Sequence, residues 1–429
     1  MYSSAEDGLA LPLLQQSRVG QRRASLAPLF LVAFINTSSR ISASTPALCL
    51  LFQDVAAAEG LDLAATAVAF GRLVALRGLV ELAATPALAR WSDCSGRKLA
   101  LCLCCMSCCL ECVFLASSRS LLVLSLVHVA GGLLASHNAI EGSCILDACP
   151  NDEARAQAFE QLFVALGAAL VLGPAVGGEL SFAVSRGAPF VASAVLSCGS
   201  LVLACRMPEY LPTARRRAKM GGGVLETLRA FRHLLRRDRR LSWYLSAFSL
   251  SGAGISAFLS VRILWARHYF GWDGREIGRM LACYGMTVVA AQFLLLPLLL
   301  WRMQGREHLV AQICLLVHCA GFAAYSLAPS AAWVYAALLL GTAGNCSVPV
   351  LQGLCSRCVA DEEHALLSRV ASMLSTASQV AGALIGSGLF AASLRGCVSQ
   401  HALLAFTAAC FVLATACVAR ARRAETWAL

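Results

Sequence analysis

Long apolar runs separated by short charged segments dominate the chain. Twelve such runs stand out: 26–52, 64–89, 99–116, 121–146, 158–182 and 188–205, then 241–265, 277–300, 308–327, 331–354, 370–392 and 402–419. Each is close to the roughly 20 residues an α-helix needs to cross a hydrocarbon core about 30 Å thick. None alternates with period two, and all are too long for membrane strands, which excludes a β-barrel. The pattern predicts an all-α integral membrane protein with twelve spanning helices. It divides the chain into a tail (1–25), a six-helix half (26–206), a basic linker (207–240), a second six-helix half (241–419) and a closing tail (420–429). Within the linker, Val224, Leu225, Leu228, Phe231, Leu234 and Leu235 recur at helical spacing among arginines. That spacing predicts an amphipathic helix lying on an anionic leaflet, with a solvated basic linker as the plainer alternative.

The two halves match in sequence. Gly96-Arg97 recurs as Gly305-Arg306 and Asp152-Glu153 as Asp361-Glu362, both at a separation of 209 residues. A shared separation argues for duplication of a six-helix unit. An even helix count per unit makes the repeat parallel, with its axis along the membrane normal and a substrate site near the midplane between the halves.

Composition agrees with this picture. Charged residues make up 14% of the chain and hydrophobic ones 58%, against about 25% charged in an average soluble domain. The net charge of +11 is no nucleic-acid signal, because the basic residues cluster between spans as cytoplasmic loops do. With both termini cytoplasmic, that side receives Arg18, Arg22, Arg23, Arg97, Lys98, Arg155, Arg302, Arg306, Arg357 and the arginine-rich linker. The opposite side receives few basic residues, and its first loop is acidic, with Asp54, Glu59 and Asp62. The first 23 residues lack the apolar core of a cleavable signal. Of 21 cysteines, Cys102, Cys104, Cys105, Cys108, Cys109 and Cys112 fall in one span, where they act as small hydrophobes. Cys355 and Cys358 have no second ligand pair, so no metal and no cofactor are expected. No P-loop, H-E-x-x-H or partnered G-x-S-x-G is present, which speaks against an enzyme and against ATP-driven pumping.

Ionisable residues inside spans are functional candidates because burying charge in lipid is costly. They are Arg40 in the first span, Arg77 and Glu81 in the second, and His128 and Glu141 in the fourth. Glu111, Arg262 and His318 also lie in spans, but the sequence does not place them in a cavity. Arg40 sits in a polar patch with Asn36, Thr37, Ser38, Ser39, Ser42 and Ser44, which should line a wet cavity. An arginine there favours an anionic or carboxylate-bearing solute. Arg77 and Glu81 share a helix face and either neutralise each other or leave Glu81 to carry a coupling proton, paired in turn with Arg77 or Arg40. His128 is either a packing residue or a proton site. Glu141, thirteen residues on, lies about 140° around an ideal helix from it, so the two cannot share one narrow face. On these grounds Glu81 is preferred to Glu141 as proton carrier.

The loop motifs carry a family resemblance. Pro86-Ala-Leu-Ala-Arg-Trp-Ser-Asp-Cys-Ser-Gly-Arg-Lys98 resembles the signature between helices 2 and 3 of the major facilitator superfamily. Gly173-Pro-Ala-Val-Gly-Gly178 resembles that superfamily's antiporter motif in helix 5. Pro349-Val-Leu-Gln-Gly353 with Ser356-Arg357, and Phe270-Gly-Trp-Asp273, are similar to the tetracycline/proton antiporter branch, and Trp91-Ser-Asp93 with Gly96-Arg97-Lys98 is also similar to proton-coupled folate transporters. Departures are Ala89 for the first motif's initial glycine, Cys94 for its basic residue, His128 at the buried arginine of helix 4, and Ala169 four before Gly173. The resemblance implies a cytoplasmic latch built from Asp93, Gly96, Arg97, Lys98, Asp147, Arg155, Gly305 and Arg306, with Asp93 at the start of helix 11 and Arg97 paired to Asp147. It also implies close helix packing at Gly173, Pro174, Gly177 and Gly178, although plain packing would give the same stripe. The expected function is secondary active transport of a small organic solute, proton-coupled, by rocker-switch alternating access. The expected partners are the solute, protons and the lipid bilayer, the expected state is a monomer, and no nucleic acid is involved. The alternatives are an uncoupled facilitator and a transporter-like receptor that moves nothing. Plasma and organelle membranes are not distinguished.

Overall fold

The computed structural model describes residues 25–42, 46–149, 151–211, 216, 235, 238–360 and 363–426. Helices account for nearly all of them, and no strand occurs among them. In the first half they are α1a (Ala27–Ser42), α1b (Leu48–Ala58), α2 (Leu63–Ser95), α3 (Arg97–Ser117), α4a (Leu121–Gly131), α4b (His137–Ala148), α5 (Asp152–Ala183) and α6 (Ala188–Arg206). In the second they are α7a (Arg239–Leu259), α7b (Arg262–Phe270), α8 (Gly274–Ala290, continuing through Leu296–Arg302), α9 (Glu307–Ser326), α10a (Ala331–Ala343), α10b (Ser347–Ser356), α11 (His364–Leu394) and α12 (Ala402–Thr426).

Ten helical segments are long and apolar enough to cross a membrane, and the α7a–α7b pair, bent by 43°, makes an eleventh. The remaining span, α1, is divided around residues 43–45, which lie outside the described residues. Five of the predicted spans are therefore not single regular helices. Spans 4 and 10 narrow to a 3₁₀ turn at Gly132–Leu134 and Gly344–Cys346, span 7 bends, span 1 is interrupted, and span 8 widens to a π-helical stretch at Ala291–Leu295. The first four are the corresponding first and fourth spans of each half, so those irregularities repeat with the duplication; the one in span 8 has no counterpart in span 2. Discontinuous helices expose backbone groups only where neighbouring protein or a wet cavity can satisfy them.

Helix starts follow local chemistry. Asp62 caps α2, with its carboxylate accepting from the Ala65 amide at 2.6 Å. Asp273 and Glu276 form a capping box at α8, and Asn151 and Ser330 cap α5 and α10a. Side chains such as Leu126, Val195, Leu294 and Trp301 remain more than 60% exposed on the helix bundle, an apolar exterior that only lipid suits.

The packing repeats as well. In the first half α1a packs on α5 and α6, and α3 on α6; in the second α7a packs on α11 and α12, and α9 on α12. The halves meet along two seams, α2 against α11 and α5 against α8. Second and fifth spans exchange roles across the seams, as a twofold pseudo-axis along the membrane normal requires. The Asp361-Glu362 copy of the repeated motif, and all but Leu235 of the amphipathic 224–235 segment, fall outside the described residues. Below, the face carrying the linker and both termini is the linker face, and the opposite one the far face.

Candidate functional site

On the linker face the chain turns from α2 into α3 at Gly96, whose φ of +110° disfavours any side chain. A Cβ there would lie 2.3 Å from a Glu209 carboxylate oxygen. That carboxylate accepts from the amides of Arg97 (2.9 Å) and Lys98 (3.3 Å), an acid at a helix N-terminus, where backbone N–H groups and the helix dipole favour it. Arg97, 8% exposed, pairs with Asp147 at 2.8 Å, as expected, and with Asp93 at 2.6 Å. Asp93 is therefore engaged within its own loop, in place of the expected seat at the start of α11. Glu209 was missed by sequence reading, although Pro208-Glu209 is an isolated acid at the head of a basic linker. Arg155 donates to the Cys149 carbonyl at 3.2 Å. In the second half Gly305 has a φ of +72°, but Arg306 is exposed, and the corresponding link is Glu307 with Arg357. This link lies one position beyond the repeat equivalents of Arg97 and Asp147, which are Arg306 and Ser356, and has its charges exchanged.

Arg77 does not pair with Glu81. Its guanidinium binds Glu111 of α3 at 2.6 Å and the His128 carbonyl at 2.5 Å, while His128 Nδ1 lies 2.8 Å from the same Glu111 oxygen. Two of the span charges predicted to face the cavity thus satisfy one another inside the first half, through the glutamate that sequence reading left unplaced. The cluster is packed tightly: a Cβ on Gly131 would lie 2.1 Å from Glu111. Among the described residues the Glu81 carboxylate has no ion pair, and its backbone carbonyl accepts from Thr85 Oγ1 at 2.7 Å.

A second polar cluster lies deeper. Glu141 is fully buried and His137, one turn before it, is 2% exposed. Neither carboxylate oxygen of Glu141 and neither ring nitrogen of His137 has a hydrogen-bond partner. Arg40 of α1a acts electrostatically on both, and Asn36 stands beside the carboxylate. Asn36 itself donates to Cys105 Sγ at 3.3 Å and accepts from Ser200 at 2.8 Å, and Ser39 bonds Ser197 at 2.8 Å. Sequence reading found Asn36, Arg40 and Glu141 but missed His137. The His137/Glu141 four-residue spacing was the available signal, since residues four apart share a face of one helix.

The far face is closed by bridges between halves. Asp54, at the end of α1b, binds Arg186 at 3.0 Å and Arg267 of α7b at 3.1 Å, and Glu179 of α5 pairs with Arg275 of α8. Beneath them α5 and α8 touch: a Cβ on Gly178 would lie 2.5 Å from the Gly274 carbonyl, and one on Gly278 would lie 2.6 Å from the Pro174 carbonyl. Gly173 and Gly177 are buried beside them. Among the described residues no ion pair joins the halves on the linker face. Instead two cavities that share Phe248 and Ser375 lead inward from that face. One of about 570 Å³ is lined by Gln352, His364, Ser368 and Ser372 among others. The other, of about 470 Å³, is lined by Phe70 and Val74 of α2 together with Ser251, Ser256 and Gln379 of the second half. Arg40, Arg77, Glu81, His128 and Glu141 do not line either cavity.

Comparisons with known proteins agree with this architecture. The family model for the Major Facilitator Superfamily matches residues 29–387. The chain is 27% identical to the class G tetracycline resistance protein of Vibrio anguillarum over 327 residues, 76% of this chain and 81% of that one. It is 28% identical to the class D protein of Salmonella ordonez over 322 residues, 75% and 79% of the two chains. Among solved structures, the human organic anion transporter MFSD10 (TETRAN) superimposes with a TM-score of 0.66 at 19% identity, covering 93% of this chain and 99% of that one. The nucleoside transporter NupG superimposes with a TM-score of 0.71 at 16% identity, covering 92% and 98%. From its paired seams, repeated helix breaks and matched family model, this chain belongs to the major facilitator superfamily and is a multi-pass membrane transporter, not an enzyme.

Proposed function

We propose that the protein is a proton-coupled secondary transporter of a small organic solute that works by alternating access, and that the structure is its inward-open state. The observation that carries this reading is the asymmetry between the faces: charged bridges and glycine contacts seal the far face, while on the linker face a serine-lined cavity of the second half adjoins, through Phe248 and Ser375, a deeper cavity between the halves. The excess of Lys and Arg makes the linker face cytoplasmic. The similarity to tetracycline resistance proteins favours export of the solute in exchange for protons.

Glu141, rather than Glu81, is the residue we assign to the coupling proton. Glu141 is fully buried and its carboxylate oxygens have no hydrogen-bond partner, while Arg40 acts on it electrostatically, so the site has a cation to face the carboxylate once the proton leaves. The other titratable groups around it are Cys104 and Cys105 of α3, and Cys144 and His137 of its own helix. Glu141→Gln in proteoliposomes tests the assignment: solute movement should cease to follow an imposed pH gradient while solute exchange persists. Undiminished pH-driven transport in that variant removes Glu141, and wild-type transport indifferent to the gradient leaves an uncoupled facilitator.

A further inference from the structure

Arg262 begins α7b directly after the bend in span 7. It is 5% exposed, and its Nε has no hydrogen-bond partner. No carboxylate pairs with it among the described residues, and its guanidinium lies over the Tyr284 ring at 4.9 Å. A buried guanidinium normally sits against an acid, because an unpaired charge in a low-dielectric interior is costly. A cation–π contact offsets only part of that cost.

The side chain lines a small pocket of about 30 Å³ with Tyr284, His318, Tyr325 and Thr342, and no acidic residue lines it. His318 is buried, its Nδ1 has no partner, and its ring stacks against Phe411 at 4.3 Å and Phe322 at 5.4 Å. Two polar groups without partners therefore converge on one space. Ile255 and Leu259 line this pocket and also the 470 Å³ cavity between the halves. A cavity of this kind needs about 10–15 Å³ per water, so the small pocket has room for about two or three, roughly the size of a carboxylate group. It suits the head of a molecule whose body lies in the larger cavity.

We propose that Arg262 anchors a single carboxylate-type oxyanion of the transported solute, which makes the solute class an organic anion with an apolar or aromatic body. The serines, Phe70 and Gln379 of the cavity would hold the uncharged part. A planar carboxylate matches the guanidinium fork through two parallel bonds. The inference rests on the transport reading above, since it gives that cavity its ligand.

The test is ligand-induced thermal stabilisation of the purified full chain, with benzoate, neutral benzamide and chloride as probes. Benzoate should stabilise the wild type, and benzamide and chloride should not. Arg262→Met and Arg262→Gln should each weaken benzoate binding at least about tenfold, the scale of one lost charge-assisted contact. Ligand-free Arg262→Met should melt no lower than the wild type, because it removes a buried charge that lacks a partner; a purely structural arginine would lower the melting temperature. Stabilisation by chloride equal to that by benzoate would make this an inorganic-anion site and overturn the solute assignment. Equal effects of benzoate and benzamide, unchanged binding in both variants, or no stabilisation of the wild type by benzoate would overturn the anchor itself. None of these readings depends on transport, so pH-driven solute movement can stand or fall separately.

Discussion

Asp54 of the first half and Arg267 of the second lie 3.1 Å apart across the far face, with Arg186 3.0 Å from the other oxygen of the same carboxylate. Arg186 is on the Asp54 side of the seam, so one acid ties its own half to the other. Both partners are about one-third exposed, and pairs of that kind contribute roughly 0–1 kcal/mol each. That scale suits a gate, since a contact made in one state and lost in the other must be weak enough to open.

Asp54→Asn should insert and fold normally while the far-face-open population rises a few-fold, the shift that about 1 kcal/mol produces. Distances between spin labels on the two halves at the far face measure it. An unchanged distance distribution would deny the bridge any part in gating.

Gly178→Ala should act in the same direction and more strongly. The added methyl would lie 2.5 Å from the Gly274 carbonyl, and overpacking of that kind costs about 1–3 kcal/mol. Closure of the far face should become rare and transport should fall. Wild-type turnover in this variant would mean that α5 and α8 separate without consequence.

Glu111→Gln should destabilise the first half by about 3–5 kcal/mol, because it leaves Arg77 buried beside His128 without its counter-charge. A marked drop in melting temperature is expected, with pH coupling retained in the molecules that fold. Loss of coupling with unchanged stability would move the proton site from Glu141 to this cluster.

Asp93→Asn should leave the stability within about 0.5 kcal/mol of wild type, since Asp93 is 48% exposed and Arg97 keeps its pair with Asp147. Transport should still fall, because the latch acts when the linker face closes. Unchanged transport in the purified variant would eliminate the latch.

The sequence made the spans legible because lipid imposes one length and one polarity on every helix. The Arg97–Asp147 pair and the glycines of α5 were legible too, because family motifs fix them locally. Arg77 shows where that reach ends. Glu81 lies one turn away in sequence, but Arg77's partner Glu111 sits on another helix, 34 residues on, and only packing decides between them. Asp54 and Arg267 are 213 residues apart, and nothing local joins two loop charges. Arg262 was legible as a charge inside span 7, but its place beside a pocket depends on the bend that precedes it, which hydropathy does not show.

The central claim, alternating access governed by protonation of Glu141, is tested most directly by two inter-half distances followed from pH 5 to pH 9. Ala58 and Val398 report on the far face, and Ala156 and Gln304 on the linker face; all four are exposed. Genetically encoded spin-labelled residues leave the native cysteines in place. In the wild type the two distances should change in opposite senses as pH is varied. In Glu141→Gln, which mimics the protonated acid, both should hold their low-pH values throughout. Distances that lengthen together, or a variant that responds to pH as the wild type does, would contradict the account.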